Sequence, residues 1–263
     1  MATINDICQF MEKFAPTQLA EDWDNVGLLV GDRALPIERV MTCLTVTPET
    51  VAEAVQRRAD LIVTHHPMPF RPMKRLTTDT ITGGIVWQLA RAGISVYSPH
   101  TGFDSAENGI NQNLGIRFGL GELESLIPQE DGVQTIGAGR LGRLPAPQTL
   151  AEFVSGVKLN LSIESVRVVN AHRSPVQRVA IACGSGGSFL GKAKARGCDT
   201  LVTGEATFHT CLEAQARGMS LVLLGHFASE RFAVETLAES LGASFESVEI
   251  WASATERDPL SWM

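Results

Sequence analysis

An internal duplication constrains the fold of this chain more than any other feature of its sequence. Residues 39–66 align without a gap with residues 178–205, and each stretch has the pattern of a strand, a helix and a second apolar strand. The identical pairs are Arg39/Arg178, Val40/Val179, Ala54/Ala193, Arg57/Arg196, Asp60/Asp199, Val63/Val202 and Thr64/Thr203. Alternating strands and helices are typical of an α/β sheet covered by helices. The sequence therefore predicts two copies of an α/β unit.

The boundary between the two copies is predicted near residue 126. The first repeat covers residues 1–126 and the second covers residues 127–263, with a C-terminal segment that can pack on the first unit. Residues 127–177 contain several glycines and prolines, which is typical of a connection, and an additional helix is predicted near Thr149–Leu159.

Composition excludes several classes of protein. Of 263 residues, 44% are apolar, and 29 acidic against 22 basic side chains give a net charge of -7. This apolar fraction excludes a disordered chain, and the acidic balance makes nucleic acid an unfavourable partner. No apolar run reaches the ~20 residues of a membrane span. The N-terminus does not resemble a secretory signal, and the 5 cysteines form no C-x-x-C pair. We therefore expect a cytoplasmic protein.

The histidines lie at the ends of predicted strands. His65 and His66 directly follow an apolar strand and precede Pro67, which disfavours a helix there. In open α/β sheets ligands bind beyond the carboxyl ends of the strands. Adjacent side chains on extended backbone point to opposite sides, so we expect the two imidazoles to diverge and to serve two metal ions rather than one.

His100 and His226 also follow short strands, and each is followed four positions later by an acid. This spacing places His100 with Asp104, and His226 with Glu230, on one face of a helical turn. Imidazole and carboxylate then converge without strain, and a carboxylate can bridge two cations. Because the same arrangement occurs in both repeats, metal binding is favoured over isolated surface histidines. By spacing alone, His100 counts among the ligands.

Other polar positions are left with alternatives. Glu205 and His209 occupy the second-repeat position of the histidine pair, so they are candidates to lie behind the metal ligands, while Glu205 could equally cap the following helix. The glycine-rich stretch Gly184–Ser188 fits a tight strand-to-helix turn better than an anion-binding loop. His172 is predicted to be a loop residue without a role.

The chain resembles the NIF-three-like family, whose members are described as type 2 GTP cyclohydrolase I homologues or as dinuclear-metal hexameric proteins. The motifs extend over nearly the whole sequence in the family's order. They are Ala20-Glu-Asp-Trp-Asp-Asn-Val-Gly-Leu-Leu-Val-Gly31, Thr64-His-His-Pro67, His100-Thr-Gly-Phe-Asp104, Gly204-Glu205 and Gly225-His-Phe-Ala-Ser-Glu230.

This resemblance implies a ligand set for two divalent metal ions per chain. His65 and His226 would hold one ion, His66 and Asp104 the other, and Glu230 would bridge them. The resemblance gives His100 a neighbouring role, in contrast to the spacing argument, and His100 is then a candidate for proton transfer. It further implies an α/β fold of two intertwined, internally duplicated three-layer α/β/α units with mixed sheets, and assembly into a toroidal homohexamer.

Two functions fit such a site. The first is a metal-dependent hydrolase for a small-molecule substrate, with a cyclohydrolase activity implied by resemblance only. The second is a non-catalytic metal-binding ring that buffers metal or serves as a scaffold for partners. Imidazole and carboxylate ligands without thiolate are compatible with Zn, Fe, Mn, Co or Ni.

Overall fold

The computed structural model describes residues 1–129, 136–170 and 175–261, so His172 lies outside the described residues. The helices are α1 (Ile4–Phe14), α2 (Pro48–Gln56), α3 (Ile81–Ala92), α4 (His100–Ser105), α5 (Ile110–Arg117), α6 (Leu150–Leu161), α7 (Leu190–Ala195), α8 (Phe208–Ala216) and α9 (His226–Ser244). The strands are β1 (Gly27–Val30), β2 (Arg39–Cys43), β3 (Leu61–Thr64), β4 (Ser95–Ser98), β5 (Gly121–Pro128), β6 (Gly137–Gln148), β7 (Arg167–Val169), β8 (Val176–Ala182), β9 (Thr200–Thr203), β10 (Ser220–Leu223) and β11 (Glu249–Ala252).

The chain forms two compact units. Unit 1 comprises Met1–Phe103 and Ala233–Met263, and unit 2 comprises Asp104–Phe232. These units differ in extent from the predicted sequence repeats, because residues 104–126 belong to unit 2 and residues 233–263 return to unit 1. The transitions between the units fall inside α4 and α9.

Unit 1 contains a mixed sheet in the order β1-β4-β3-β2-β11. Strand β1 is antiparallel to β4, whereas β2 is parallel to both β3 and β11. The C-terminal strand therefore completes the sheet of unit 1, as the sequence allowed. Apolar side chains from the strands and from α2 and α3 form its core, among them Met41, Ile62, Leu89, Val96 and Trp251.

Unit 2 contains a mixed sheet in the order β5-β6-β8-β9-β10-β7. Strands β8, β9 and β10 are parallel, and β5, β6 and β7 run antiparallel to their neighbours. Its core includes Leu141, Ala180, Ala193, Leu201 and Leu221. The predicted mixed α/β fold with two mixed sheets is confirmed.

The duplication is visible in the backbone of the two sheets. In unit 1 the carboxylate of Asp60 accepts hydrogen bonds from the N–H groups of Glu38 and Arg39 at 2.7 and 2.8 Å. In unit 2 Asp199 does the same for Gln177 and Arg178 at 3.0 and 2.7 Å. An aspartate that begins the second strand thus fixes the start of the first strand in both copies. Charge-assisted hydrogen bonds of this kind are among the stronger ones in proteins.

Capping residues explain where the helices begin. The α2 helix starts after Thr47, whose side chain accepts a hydrogen bond from the N–H of Thr50, and Pro48 occupies the first turn, where no N–H is needed. The predicted helix near Thr149–Leu159 is α6, which starts after a capping box of Thr149 and Glu152. None of the described helices has the length and apolar character required to cross a membrane.

Candidate metal centre

Unit 1 contains a cluster of three imidazoles, His65, His66 and His100, which we call the imidazole cluster. The ring centroids are separated by 5.0 Å (His65 and His66), 5.2 Å (His65 and His100) and 5.7 Å (His66 and His100). One nitrogen of each ring lies within 4.8 Å of the others. His65 is only 3% exposed, whereas His66 and His100 are half-buried.

The carboxyl end of β3 positions the histidine pair. The N–H groups of His65 and His66 donate to the carbonyls of Cys43 and Leu44 at 3.0 and 2.8 Å, continuing the pairing of β3 with the chain that follows β2. The two rings nevertheless lie close together, so the predicted divergence of the imidazoles is wrong. The physical reason is that regular strand geometry ends at Thr64, one residue before the pair.

Hydrogen bonds orient two of the imidazoles. The hydroxyl of Thr45 lies 2.7 Å from Nδ1 of His66. Nδ1 of His100 lies 2.7 Å from Oδ1 of Asp24, whose other oxygen accepts hydrogen bonds from the N–H and hydroxyl of Thr101. Burial alone would raise the pKa of Asp24, but the hydrogen bonds from His100 and Thr101 outweigh it and lower the pKa to about 2. The carboxylate is therefore ionised, and Nδ1 of His100 carries the proton.

The backbone of His100 is strained. Its φ of 32° lies in the left-handed region, which costs a non-glycine residue about 1–3 kcal/mol. His100 is the first residue of α4, and the hydrogen bond between its ring and Asp24 is formed with the backbone in this conformation. Strained residues of this kind often occur at functional sites.

Unit 2 contains a second group, which we call the carboxylate cluster. It consists of three acidic residues and one histidine: Asp104, Glu205, Glu230 and His226. Nε2 of His226 lies 3.1 Å from Oε2 of Glu230, one turn along α9, and its Nδ1 lies 3.6 Å from Oε1 of Glu205. Carboxylate oxygens of Asp104 and Glu230 lie within 4.8 Å of each other. Glu230 is 3% exposed.

The imidazole in this cluster has a shifted pKa. The hydrogen bond to Glu230, with the negative charges of Glu230 and Glu205, raises the pKa of His226 to about 9, although burial opposes the change. Without a cation the carboxylate cluster therefore holds a proton on His226. Since a metal ligand must be a neutral imidazole, a cation that binds His226 has to displace this proton.

The glycine-rich turn packs directly on the carboxylate cluster. Gly184 has a φ of +56°, and a Cβ built there would lie 2.4 Å from Oε1 of Glu230 and 3.3 Å from Nε2 of His226. Its N–H donates to the hydroxyl of Ser229 at 3.0 Å, and the N–H of Gly186 donates to the hydroxyl of Thr203 at 3.0 Å. Because these N–H groups already donate to side chains, they are not directed at an anion, which agrees with the predicted tight turn. Glycine is required at 184 because the backbone approaches the carboxylate closely.

Sequence reasoning missed several residues that contact the candidate ligands. The thiol of Cys183 lies 3.1 Å from Oδ1 of Asp104, and Asn111 accepts from the N–H of Cys183 while donating to the carbonyl of Asp104. Burial and the nearby charges of Asp104 and Glu230 raise the pKa of Cys183 well above its usual value, so the thiol stays neutral and can donate to Asp104. Cys183 aligns with Leu44, directly after the first strand of the repeat. That position does not predict a contact between Cys183 and Asp104.

The two residues left open by the sequence have different surroundings. Glu205 lies near His226, and its predicted alternative role as a helix cap is wrong, because Thr207 caps α8 and accepts from the N–H of Thr210. His209 is exposed on the first turn of α8, with its ring beside Phe208. The position of Glu205 fits a residue behind the ligands better than that of His209.

The chemistry of these groups fits a divalent cation. Imidazole nitrogens and carboxylate oxygens are the usual ligands of zinc, iron, manganese, cobalt and nickel in proteins. The candidate ligand atoms in each group lie within 4.8 Å of one another, and burying polar groups is costly unless they have partners. The described His and Glu groups could therefore hold a metal ion.

Comparison with known proteins identifies relatives over nearly the whole chain. The sequence profile of the family described as Duf34/NIF3 (NGG1p interacting factor 3) matches residues 2–259. The chain is similar to the GTP cyclohydrolase 1 type 2 homolog of Clostridium perfringens, with 34% identity over 265 residues and 99% of each chain covered. It is also similar to the protein NIF3 homolog of Schizosaccharomyces pombe, with 34% identity, 96% of this chain and 95% of that protein covered. The crystal structure of a Bacillus cereus protein related to NIF3 has the same fold, with a TM-score of 0.89 at 24% identity, covering 100% of this chain and 99% of that chain.

Proposed function

Because the chain belongs to the Duf34/NIF3 family, we propose that it is a hydrolase that acts on a small-molecule substrate through a dinuclear metal centre. The observation that carries this proposal is the imidazole cluster, in which three ring nitrogens lie within 4.8 Å of one another and one of the rings is buried. Clustered neutral imidazoles are a frequent feature of catalytic metal sites in hydrolases.

The proposed ligands come from both clusters. His65 and His226 would hold one cation, His66 and Asp104 would hold the other, and Glu230 would serve both. The family resemblance supports this pairing, and the burial of His65 and Glu230 supports their place among the ligands. The metal is Zn, Fe, Mn, Co or Ni, since the ligands include no thiolate.

The chain's own residues contribute positioning and proton transfer. Bound divalent cations supply Lewis acidity, which favours the attack of water on a carbonyl, imine or phosphoryl group. His100 is the proposed proton carrier, because Asp24 keeps the proton on Nδ1 and leaves Nε2 able to accept one. By analogy with the names of its bacterial relatives, opening of a purine-type ring by water is the first reaction to test.

The site assignment is tested by metal content. We expect about two metal ions per chain in protein purified without chelator or histidine tag. His65→Ala and His226→Ala should each empty mainly one site, and Glu230→Ala should weaken both. His209→Ala is the matched control, because it removes an exposed imidazole outside both clusters. Full metal content in all three ligand variants would contradict the assignment.

Catalysis is tested separately with metal-loaded protein. GTP, a phosphoester and an amide are the probes, and we expect turnover of at least one that is lost in Glu230→Gln and strongly reduced in His100→Gln. A wild-type protein with both metals bound and no turnover of any probe would replace the hydrolase with a non-catalytic metal-binding protein.

We also propose that the chain assembles as a toroidal homohexamer and acts in the cytoplasm. The support for both is resemblance to the family. The net charge of -7 disfavours nucleic acid as a partner. Light scattering after size-exclusion chromatography tests the assembly. A monomeric mass at micromolar concentration would contradict it.

A further inference from the structure

We propose that the segment formed by residues 253–258, which we call the C-terminal strap, positions the metal ligand His66 through Glu256 and Thr45. This inference rests on the proposed function, because it takes His66 as a metal ligand. It adds two positioning residues, Glu256 and Thr45, that lie far from each other in the sequence and outside the proposed ligand set.

The first step is the contact between the strap and the end of β2. Glu256 is 8% exposed, and its carboxylate accepts hydrogen bonds from the N–H groups of Leu44 at 2.9 Å and Thr45 at 2.7 Å. Burying a carboxylate is costly unless it is hydrogen-bonded, and here two consecutive backbone donors meet that need. The carboxylate therefore fixes the backbone where the chain leaves β2.

The second step is the contact between that backbone and His66. The hydroxyl of Thr45 lies 2.7 Å from Nδ1 of His66, and the N–H of His66 donates to the carbonyl of Leu44 at 2.8 Å. With a proton on Nδ1 donated to Thr45, Nε2 keeps its lone pair for a cation. The residues that Glu256 holds are thus the same residues that set the position and tautomer of His66.

The equivalent position in unit 2 shows that this anchor is special to unit 1. Leu44 and Thr45 align with Cys183 and Gly184, whose N–H groups are bound by the side chains of Asn111 at 2.8 Å and Ser229 at 3.0 Å. Those anchors are neutral. In unit 1 the same pair of backbone donors receives a carboxylate from the C-terminal strap instead.

A second carboxylate holds the strap without contacting His66. Glu53 accepts hydrogen bonds from the hydroxyls of Ser253 and Thr255 at 2.7 and 2.8 Å, and from the N–H of Ala254 at 3.1 Å. It also accepts from the indole of Trp251 at 3.1 Å. Glu53 therefore supplies a matched control, since losing it loosens the strap but leaves the link from Glu256 to His66 in place.

The experiment measures the affinity of both metal sites in the full chain, with Co²⁺ as the probe, by competition with a chelator and by the visible absorption of bound cobalt. Thr45→Val and Glu256→Gln should weaken one of the two sites by about tenfold to a hundredfold and change its spectrum, because residues that orient a metal ligand have effects of that size. Thr45→Ser should restore the wild-type affinity and spectrum. Glu53→Gln should lower the melting temperature while leaving both sites unchanged.

The outcomes separate this inference from the proposed function. A wild-type chain that binds no cobalt would contradict the proposed function and this inference with it. Two sites in the wild type, with unchanged affinities in Thr45→Val and Glu256→Gln, would overturn this inference alone. Equal weakening by Glu53→Gln and Glu256→Gln would also overturn it, because it would show a general tether. If Glu256→Gln does not fold, Thr45→Val decides, since it removes only the hydroxyl.

Discussion

The two units use the same scaffold and present different chemical groups at the same strand end. In both, an aspartate fixes the start of the first strand, and a threonine ends the second strand with its hydroxyl bound to nearby backbone. After that threonine, unit 1 continues with His65 and His66, whereas unit 2 continues with Gly204 and Glu205. The duplicated part is the framework, and the part that differs is the set of donors.

The difference has a steric cause. A Cβ at Gly204 would lie 2.6 Å from the carbonyl oxygen of Gly184 and 3.1 Å from Cα of His226. No side chain fits where unit 1 carries His65. Unit 2 therefore draws its donors from helices, with Asp104 on α4 and both His226 and Glu230 on α9. The same framework thus supports two ways of presenting metal-binding groups.

The strongest test of this difference is to place a histidine, the residue of unit 1, at position 204 of unit 2. Gly204→His should destabilise the protein by about 3 kcal/mol or more, or prevent folding, because the new side chain overlaps backbone in a packed region. Glu205→His should be tolerated, because the side chain of Glu205 is 43% exposed. Urea unfolding of both variants measures the difference. Equal stability of the two variants would show that position 204 has room for a side chain.

A smaller effect should distinguish the two threonines. Thr64→Val removes a hydroxyl that donates to the carbonyls of Leu44 and His66, and we expect a loss of about 0.5–1.5 kcal/mol. Thr203→Val should cost more, about 1–3 kcal/mol, because the hydroxyl of Thr203 also accepts from the buried N–H of Gly186, which would be left unsatisfied. Chemical denaturation of both variants tests the order. A larger loss for Thr64→Val would contradict it.

A further difference between the two units concerns pH in metal-free protein. The pKa of His226 is raised to about 9 from 6.5, so its interaction stabilises the folded state fully below pH 6.5 and is lost as the pH rises through 9. Asp24 in unit 1 has a pKa lowered from 3.8 to about 2, so its contribution is present above pH 3.8 and is lost as the pH falls through 2. The melting-temperature difference between wild type and His226→Gln should therefore shrink between pH 6.5 and 9.5 in EDTA. For Asp24→Asn the corresponding loss should occur at acid pH, as the pH falls from 3.8 through 2, and a His226→Gln difference that does not shrink between pH 6.5 and 9.5 would contradict the assignment for His226.

Much of the framework can be predicted from the sequence, because it depends on local patterns. The duplicated Asp60 and Asp199 are visible as identical aligned residues, and they have identical hydrogen bonds. The strand-end position of His65 and His66 follows from the apolar run before them. These features require only periodicity, alignment and the chemistry of proline.

The environment of the candidate ligands cannot be predicted in the same way. The contacts of Asp24 with His100, of Cys183 with Asp104, and of Glu256 with Thr45 each join segments that are distant along the chain. No spacing rule connects such residues. The divergence predicted for His65 and His66 is wrong for a related reason, because β3 ends at Thr64.

The return of the chain to unit 1 has a consequence for the order of events on the ribosome. Strand β2 acquires its neighbour β11 only from Glu249–Ala252, which is synthesised after every segment of unit 2. Until then one edge of the nascent sheet in unit 1 has no strand to pair with, and such edges are prone to misassociation. Unit 2 can therefore fold before the sheet of unit 1 is complete, because that sheet requires β11 from the C-terminal segment.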